Sequence, residues 1–241
     1  MMLVTLLIAG CGGHAAAPVT DRSPDSENQA FYSVLSGDTL FAIAFRSGVD
    51  VQDLARWNNI KAPYTIYVGS NLRLRPKSTS LTTSQDSSAD NETPKPAQAI
   101  TKKAASKPLP KVALPPKVGQ WVWPAKGKLV QSFSINKGNN GIQIAASESA
   151  PVSASAAGQV VYAGNGIRGY GQLIIIQHSD AFLSAYAHNK TMLVQEGQSI
   201  KQGQKIAEVG STGTNEIKLH FEIRKDGRPV NPLKYLPLKS A

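Results

Sequence analysis

Four histidines and a single cysteine hold most of the reactive chemistry in this 241-residue chain. His220 lies in the run Lys218-Leu219-His220-Phe221-Glu222-Ile223-Arg224, in which apolar and polar residues alternate. On a strand, that alternation puts Lys218, His220, Glu222 and Arg224 on one face and Leu219, Phe221 and Ile223 on the other. Ser184, Tyr186 and His188 share a face of a second strand by the same rule. Two polar strand faces of this kind can line one open groove, with imidazoles available for metal ligation or proton transfer. A catalytic zinc requires about three protein ligands and one open position for water. His14 and His178 fall in no such pattern and are read as incidental.

Cys11 stands alone, so the chain can form no intramolecular disulfide and no cysteine-based metal site. Met2 to Ala9 are nearly all apolar, and Ile8-Ala9-Gly10 leads directly into Cys11. Small residues before a cleavage point mark a processed signal segment, and this apolar run is too short to span a bilayer. The pattern resembles the lipobox of bacterial lipoproteins. The resemblance implies a signal peptide over 1–10, cut before Cys11, and a lipid on Cys11 that anchors the chain to membrane. Gly12 rather than Asp follows the cysteine, which by resemblance to Gram-negative lipoproteins directs the protein to the outer membrane, facing the periplasm. No Lys or Arg precedes Cys11, so either the signal is unusual or the true start lies upstream of Met1. Residues 11–30 read as a flexible tether.

Lys and Arg number 26 against 16 Asp and Glu, a formal charge of +10. That excess favours anionic surroundings: nucleic acid, acidic headgroups or a carboxylated wall polymer. Nucleic acid as a partner calls for a dense basic stripe with aromatic platforms. The basic residues are instead scattered, many of them in the segment 77–118, so no nucleic acid is expected. That segment is rich in Ser, Thr, Pro, Ala and Lys and poor in large apolar residues. It cannot bury enough surface to fold, and its prolines make it a semi-stiff, disordered linker. It divides the chain into a small unit over 31–76 and a larger one over 119–241.

The small unit reads strand, helix, helix, strand, an α+β arrangement. Tyr32 to Leu35 form the first strand, and Thr39 opens a helix with Leu40, Ile43 and Ala44 at helical spacing. Asp50 caps a second helix with Asp53 in its first turn, and Leu54 and Trp57 face the core. Alternation returns in Leu72-Arg73-Leu74. Tyr32-x-Val34, Gly37-Asp38-Thr39-Leu40, Asn58-Asn59-Ile60, Gly69 and Leu72-x-Leu74-x-Pro76 resemble the LysM module. The resemblance implies binding of peptidoglycan glycan in a shallow groove involving Asp38, Thr39, Leu40, Asn59, Ile60 and Ile66. Beside it stands a plainer reading, in which Asp38-Thr39 is a helix cap and Ile60 and Ile66 are core.

The larger unit is mostly strand: Val160-Val161-Tyr162, Leu173 to Ile176 and Leu219-Phe221-Ile223 are short apolar or alternating runs bounded by glycine turns. Gly141-Ile142-Gln143-Ile144, Gly158-Gln159-Val160, Gly169-Tyr170-Gly171, Tyr186-Ala187-His188, Gly210-x-x-Gly213 and Leu219-His220-Phe221-Glu222-Ile223-Arg224 resemble the LytM domain of M23 peptidases, implying a twisted antiparallel sheet with a groove. Active members bind zinc through a His and an Asp four apart plus the second His of a His-x-His pair. Here those positions hold Asn139, Gln143 and Lys218-Leu219-His220. Only His220 of the ligands remains, with His188 as an assisting histidine, so no metal, no cofactor and no catalysis are expected. Gly158-Gln159-Val160 followed by Val194 to Ile206 also resembles the barrel-sandwich of lipoyl and biotinyl carriers, but no modifiable-lysine motif accompanies it.

The order lipobox, LysM, linker, degenerate LytM resembles murein hydrolase activators of the NlpD kind. That family implies a non-catalytic protein that activates a periplasmic N-acetylmuramoyl-L-alanine amidase in wall remodelling and daughter-cell separation. The partner would sit on Asn139, Gln143, Arg168, Tyr170, Tyr186, His188, Lys218, His220 and Arg224. The alternatives are an M23 endopeptidase with an atypical metal site and a passive tether between membrane and wall.

Overall fold

The computed structural model describes residues 30–76, 114 and 118–238. Cys11, the signal segment and nearly all of the linker lie outside the described residues. In chain order the elements are β1 (Phe31–Ser33), α1 (Leu40–Ser47), α2 (Val51–Trp57), β2 (Asn71–Arg73), β3 (Lys128–Gln131), β4 (Ile142–Ala145), β5 (Pro151–Ser153), β6 (Gly158–Gly164), β7 (Gln172–Gln177), β8 (Phe182–Met192), β9 (Ser199–Ile200), β10 (Lys205–Val209), β11 (Lys218–Lys225) and β12 (Arg228–Val230).

The small unit is βααβ, with β1 antiparallel to β2. Thr39 accepts from the Ala42 amide and so caps α1, while Gly48 ends that helix at φ 63°. Asp50 caps α2 by accepting from Gln52 and Asp53. Leu40, Ile43, Leu54 and Leu72 fill the space between the helices and the two strands. Trp57 departs from expectation. It is half-buried and belongs to neither apolar cluster, because α2 ends there and turns its last residue away from the core.

The large unit is one antiparallel sheet in the order β3-β4-β11-β8-β7-β6-β9, with β10 bridging β8 and β5 and β12 folded back on β11. Both faces of its centre are covered. One face presents Ile142, Ile144, Ile174, Ile176, Tyr186, Leu219, Phe221 and Ile223 to Val152, Ile206 and Trp121. The other presents Val161, Leu173, Ile175, Leu183, Ala185 and Ala187, which join a single cluster with Phe41, Phe45 and the rest of the small unit's core. Each fully buried Ile or Phe adds ~1.5–3 kcal/mol of transfer free energy, so strands buried on both faces read as the near-continuous apolar runs seen in the sequence.

The junction between the units is specific. Arg224 of β11 donates from Nη1 to the Phe45 carbonyl at the end of α1 (2.5 Å), and its guanidinium lies 3.4 Å from the centre of the Phe45 ring. The Phe45 ring meets Tyr170 edge-on, at 5.4 Å. In the β11–β12 turn, Gly227 (φ 74°) approaches the backbone of Val49 and Asp50 so closely that a Cβ would lie 2.4 Å from the Asp50 nitrogen.

Candidate functional site: a polar recess on the large sheet

Register decides which side chains meet. His220 of β11 pairs with Gln143 of β4 and with Ala187 of β8, so His220 and Gln143 share a face. They line a recess of about 260 Å³ together with Gln131, Asn139, Asn140, Tyr170, His188 and Glu222. Among the residues expected there, Asn139, Gln143, Tyr170, His188 and His220 are brought together. Arg224 stands behind the recess, buried and bonded through Nε to Glu222 (2.8 Å). Lys218 points to Glu216 (2.9 Å), and Arg168 is exposed on the neighbouring loop; neither lines the recess.

Tyr186 is a correction. It pairs with Phe221, lies on the opposite face from His220 and has no exposed surface. Ser184 and Tyr186 do share a face, but His188 leaves it. His188 adopts φ 64°, and that left-handed residue breaks the alternation and swings the ring round to His220, with ring centres 6.0 Å apart.

The recess is organised around Glu222, whose carboxylate is fully buried. Its Oε1 accepts from His220 Nε2 (2.9 Å) and from the Tyr170 hydroxyl (2.8 Å), and its Oε2 accepts from Arg224. Burial by itself would raise the Glu222 pKa. The Arg224 charge and the bonds from His220 and Tyr170 outweigh burial and hold it at about 2. Burial, and then the Glu222 charge, push the Tyr170 phenol above its usual value, so it remains a donor. His188 donates from Nδ1 to the Thr212 carbonyl (2.8 Å). Burial lowers its pKa, with His220 and Lys218 adding to the shift, which favours the neutral ring. Asn139 donates its amide to the carbonyls of Ser132 and Gly141, which pins the turn before β4.

Residues 32–75 match the LysM domain and residues 137–232 match peptidase family M23. The uncharacterized lipoprotein YgeR of Escherichia coli is 44% identical over 98% of this chain and 91% of its own length. The murein hydrolase activator NlpD of the same organism is 43% identical over 86% of this chain and 67% of its own. The chain belongs to the NlpD family. Another similar protein, the outer membrane antigenic lipoprotein B of Histophilus somni, is 44% identical over 83% of this chain and 65% of its own length.

Membership of an M23-like family raises the question of zinc, and the donors in the recess do not fit it. Asn139 and Gln143 offer neutral amides, and the Asn139 nitrogen is already committed to two carbonyls. Among the described residues, no group of three or more His, Cys, Asp or Glu is placed to hold a metal ion.

In the NlpD-family LysM unit, most of the expected sugar contacts turn inward. Asp38 is buried, accepts from the Tyr32 hydroxyl (2.7 Å) and the Leu35 amide (2.8 Å), and pairs with Arg46 (3.1 Å). Thr39 is the cap, and Leu40 and Ile66 are core. Asn59 is exposed, in the left-handed region at φ 54°, and Ile60 is half-buried. With Asp38, Thr39, Leu40 and Ile66 buried, only Asn59 and Ile60 of the expected contacts present surface to a sugar.

Gln131, Asn140 and Glu222 were missed as recess residues. Glu222 carried the clearest signal, since it alternates with His220. Gln131 needed the pairing of β3 with β4, which sets it opposite Gln143.

Proposed function

We propose that this protein is a non-catalytic activator of a periplasmic N-acetylmuramoyl-L-alanine amidase, holding wall glycan with its LysM unit and the amidase with the recess of its M23-like unit. The observation that carries the reading is the recess itself. An M23 framework converges on the place where a peptidase would hold its metal, and there stand carboxamides and a Tyr170–Glu222–His220–Arg224 cluster tied together by hydrogen bonds. Such a surface binds and orients; it supplies no activated water. The relative that is named a murein hydrolase activator supports the same reading.

Activation by binding needs differential affinity. Moving an amidase from mostly closed to mostly open requires roughly 5 kcal/mol more binding to the open form. A few well-placed anchors in a recess of this size supply that order of energy. Lipidation at Cys11 would keep the chain at the outer membrane, in keeping with relatives named lipoproteins. No helix among the described residues is long and apolar enough to cross a membrane.

The test mixes a soluble form beginning after Cys11 with dye-labelled peptidoglycan, with and without a purified amidase, while bound zinc is assayed. The expected result is no zinc, no dye release alone, and strong release with the amidase. Release by the protein alone, abolished by a chelator, would make it an endopeptidase and overturn the reading. Pairing Gln131→Glu with Gln143→Ala should weaken stimulation; unchanged stimulation would remove the recess as the contact surface.

A further inference from the structure

A second cleft, of about 570 Å³, opens where the two units meet, away from the recess. Its walls are the turn after α1 and one side of α2 from its cap to its last residue (Asp50, Asp53, Trp57), and the β11–β12 turn opposite (Lys225, Asp226, Arg228). Trp57 is the residue that needs explaining. It is half-buried and lies outside both apolar clusters, and its indole has neither a hydrogen bond nor a ring contact among the described residues. A large indole left unpacked at a cleft offers a flat apolar face beside an unused N–H donor. The charges around it are of both signs. The Asp50 carboxylate spends Oδ1 on the α2 cap, its other oxygen has no hydrogen bond among the described residues, and Asp53 pairs with the exposed Arg56. Lys225 and Arg228 form no ion pair among the described residues.

An aromatic face beside mixed charges matches a sugar ring that bears a zwitterionic substituent. The apolar face of the ring stacks, while carboxylate and ammonium groups find partners of opposite sign. We propose that this cleft is a second wall-binding site, taking an amino sugar that carries a peptide with free carboxylate and ammonium groups, distinct from the neutral glycan that the LysM unit would hold. The assignment rests on the wall-binding half of the function proposed above and is independent of the amidase. Because each unit contributes one wall, a ligand seated there binds only the docked arrangement and stabilises it. The Gly227 contact with Val49 and Asp50 keeps the walls in place.

The test follows the Trp57 indole N–H signal of the full chain by NMR during titration with a disaccharide-tetrapeptide from cell wall and, separately, with chitotetraose. The wall fragment should move the Trp57 signal, and chitotetraose should leave it in place. Trp57→Leu and Arg228→Glu should each weaken binding of the wall fragment about tenfold, the size of one lost charged hydrogen bond or stacking contact, with chitotetraose affinity unchanged. Gly227→Val, which drives a side chain into the Asp50 backbone, should do the same while both units stay folded by circular dichroism. A Trp57 signal unmoved by the wall fragment, or moved equally by chitotetraose, would overturn the proposal. So would wall-fragment affinity indifferent to Arg228→Glu. Amidase stimulation, measured alongside, reports on the recess and separates failure of that reading from failure of this one.

Discussion

Two hydrogen-bonded chains with a histidine run through the same sheet, one on each face, and they behave as opposites. On the inner face, the Ser155 amide donates to the Tyr186 hydroxyl (2.8 Å), Tyr186 is bonded to Ser184 (2.9 Å), Ser184 to His178 Nε2 (2.7 Å), and His178 Nδ1 donates to the Ala157 carbonyl (2.8 Å). The chain starts at a group that only donates and ends at one that only accepts. A neutral His178 therefore gives as many protons as there are bonds, and nothing is left over. On the outer face, His220 donates to Glu222 and His188 to Thr212, and each ring keeps one nitrogen without a hydrogen bond among the described residues. The sealed chain finds an acceptor for each proton along it, though the Ser155 hydroxyl beside it is buried without a partner among the described residues; the open one keeps ring nitrogens for a visitor. The same residue types serve either end, and burial with proton count separates them.

The largest expected effect lies on the sealed side. Tyr186→Ala removes a ring with no exposed surface, packed 5.3 Å from Phe221, and should cost about 4 kcal/mol in a denaturant melt. Tyr186→Phe keeps the ring and breaks the proton chain, and should cost about 2 kcal/mol by leaving a buried amide unsatisfied. If Tyr186→Ala were nearly neutral, the two faces would not differ as described.

Acid should sharpen the contrast next. A proton added to His178 would charge a ring with no exposed surface, and burial lowers its pKa from 6.5 to about 4. Since the folded value is depressed, the stability at stake is complete above pH 6.5 and is lost as pH falls towards 4, a loss of ~3 kcal/mol. Glu222 responds only lower: its folded value of about 2 lies below the usual 4.5, so its contribution is present above pH 4.5 and fades below. Melts at pH 7 and pH 4.5 should show a steep decline for the native chain. His178→Gln should be less stable at pH 7 and much less sensitive to pH. Parallel declines would mean that His178 is not the group responding.

Much of this was readable in the residues. Alternation in Lys218 to Arg224 placed His220 and Glu222 on one face and Phe221 on the other, and the caps at Thr39 and Asp50 fell where the helices begin. What escaped was whatever a local rule cannot carry. Period-two reasoning runs straight through His188, whose left-handed backbone turns it to the other face. Tyr186 looked like a groove residue because alternation tells which side chains share a face, not which face is sealed. His178 looked incidental because its partners, Ala157 and Ser184, meet it only in the folded sheet. Arg224 looked available to a partner. Its bond to Phe45 crosses 179 positions of sequence and the whole linker, and depends on how the two units dock.

The smallest effect on stability, and the most telling for the open side, belongs to His188→Asn. Asparagine tolerates the left-handed region better than most residues, so the backbone at φ 64° is kept while the imidazole goes. The change gives up one hydrogen bond to Thr212, worth about 1 kcal/mol, and empties no part of the core. If the spare ring nitrogens of His188 and His220 receive donors from an amidase, the variant should melt almost as the native chain does and stimulate the enzyme several-fold less. If it instead lost several kcal/mol and stimulated normally once folded, the outer chain would be structural like the inner one. The contrast between the faces would then reduce to solvent exposure.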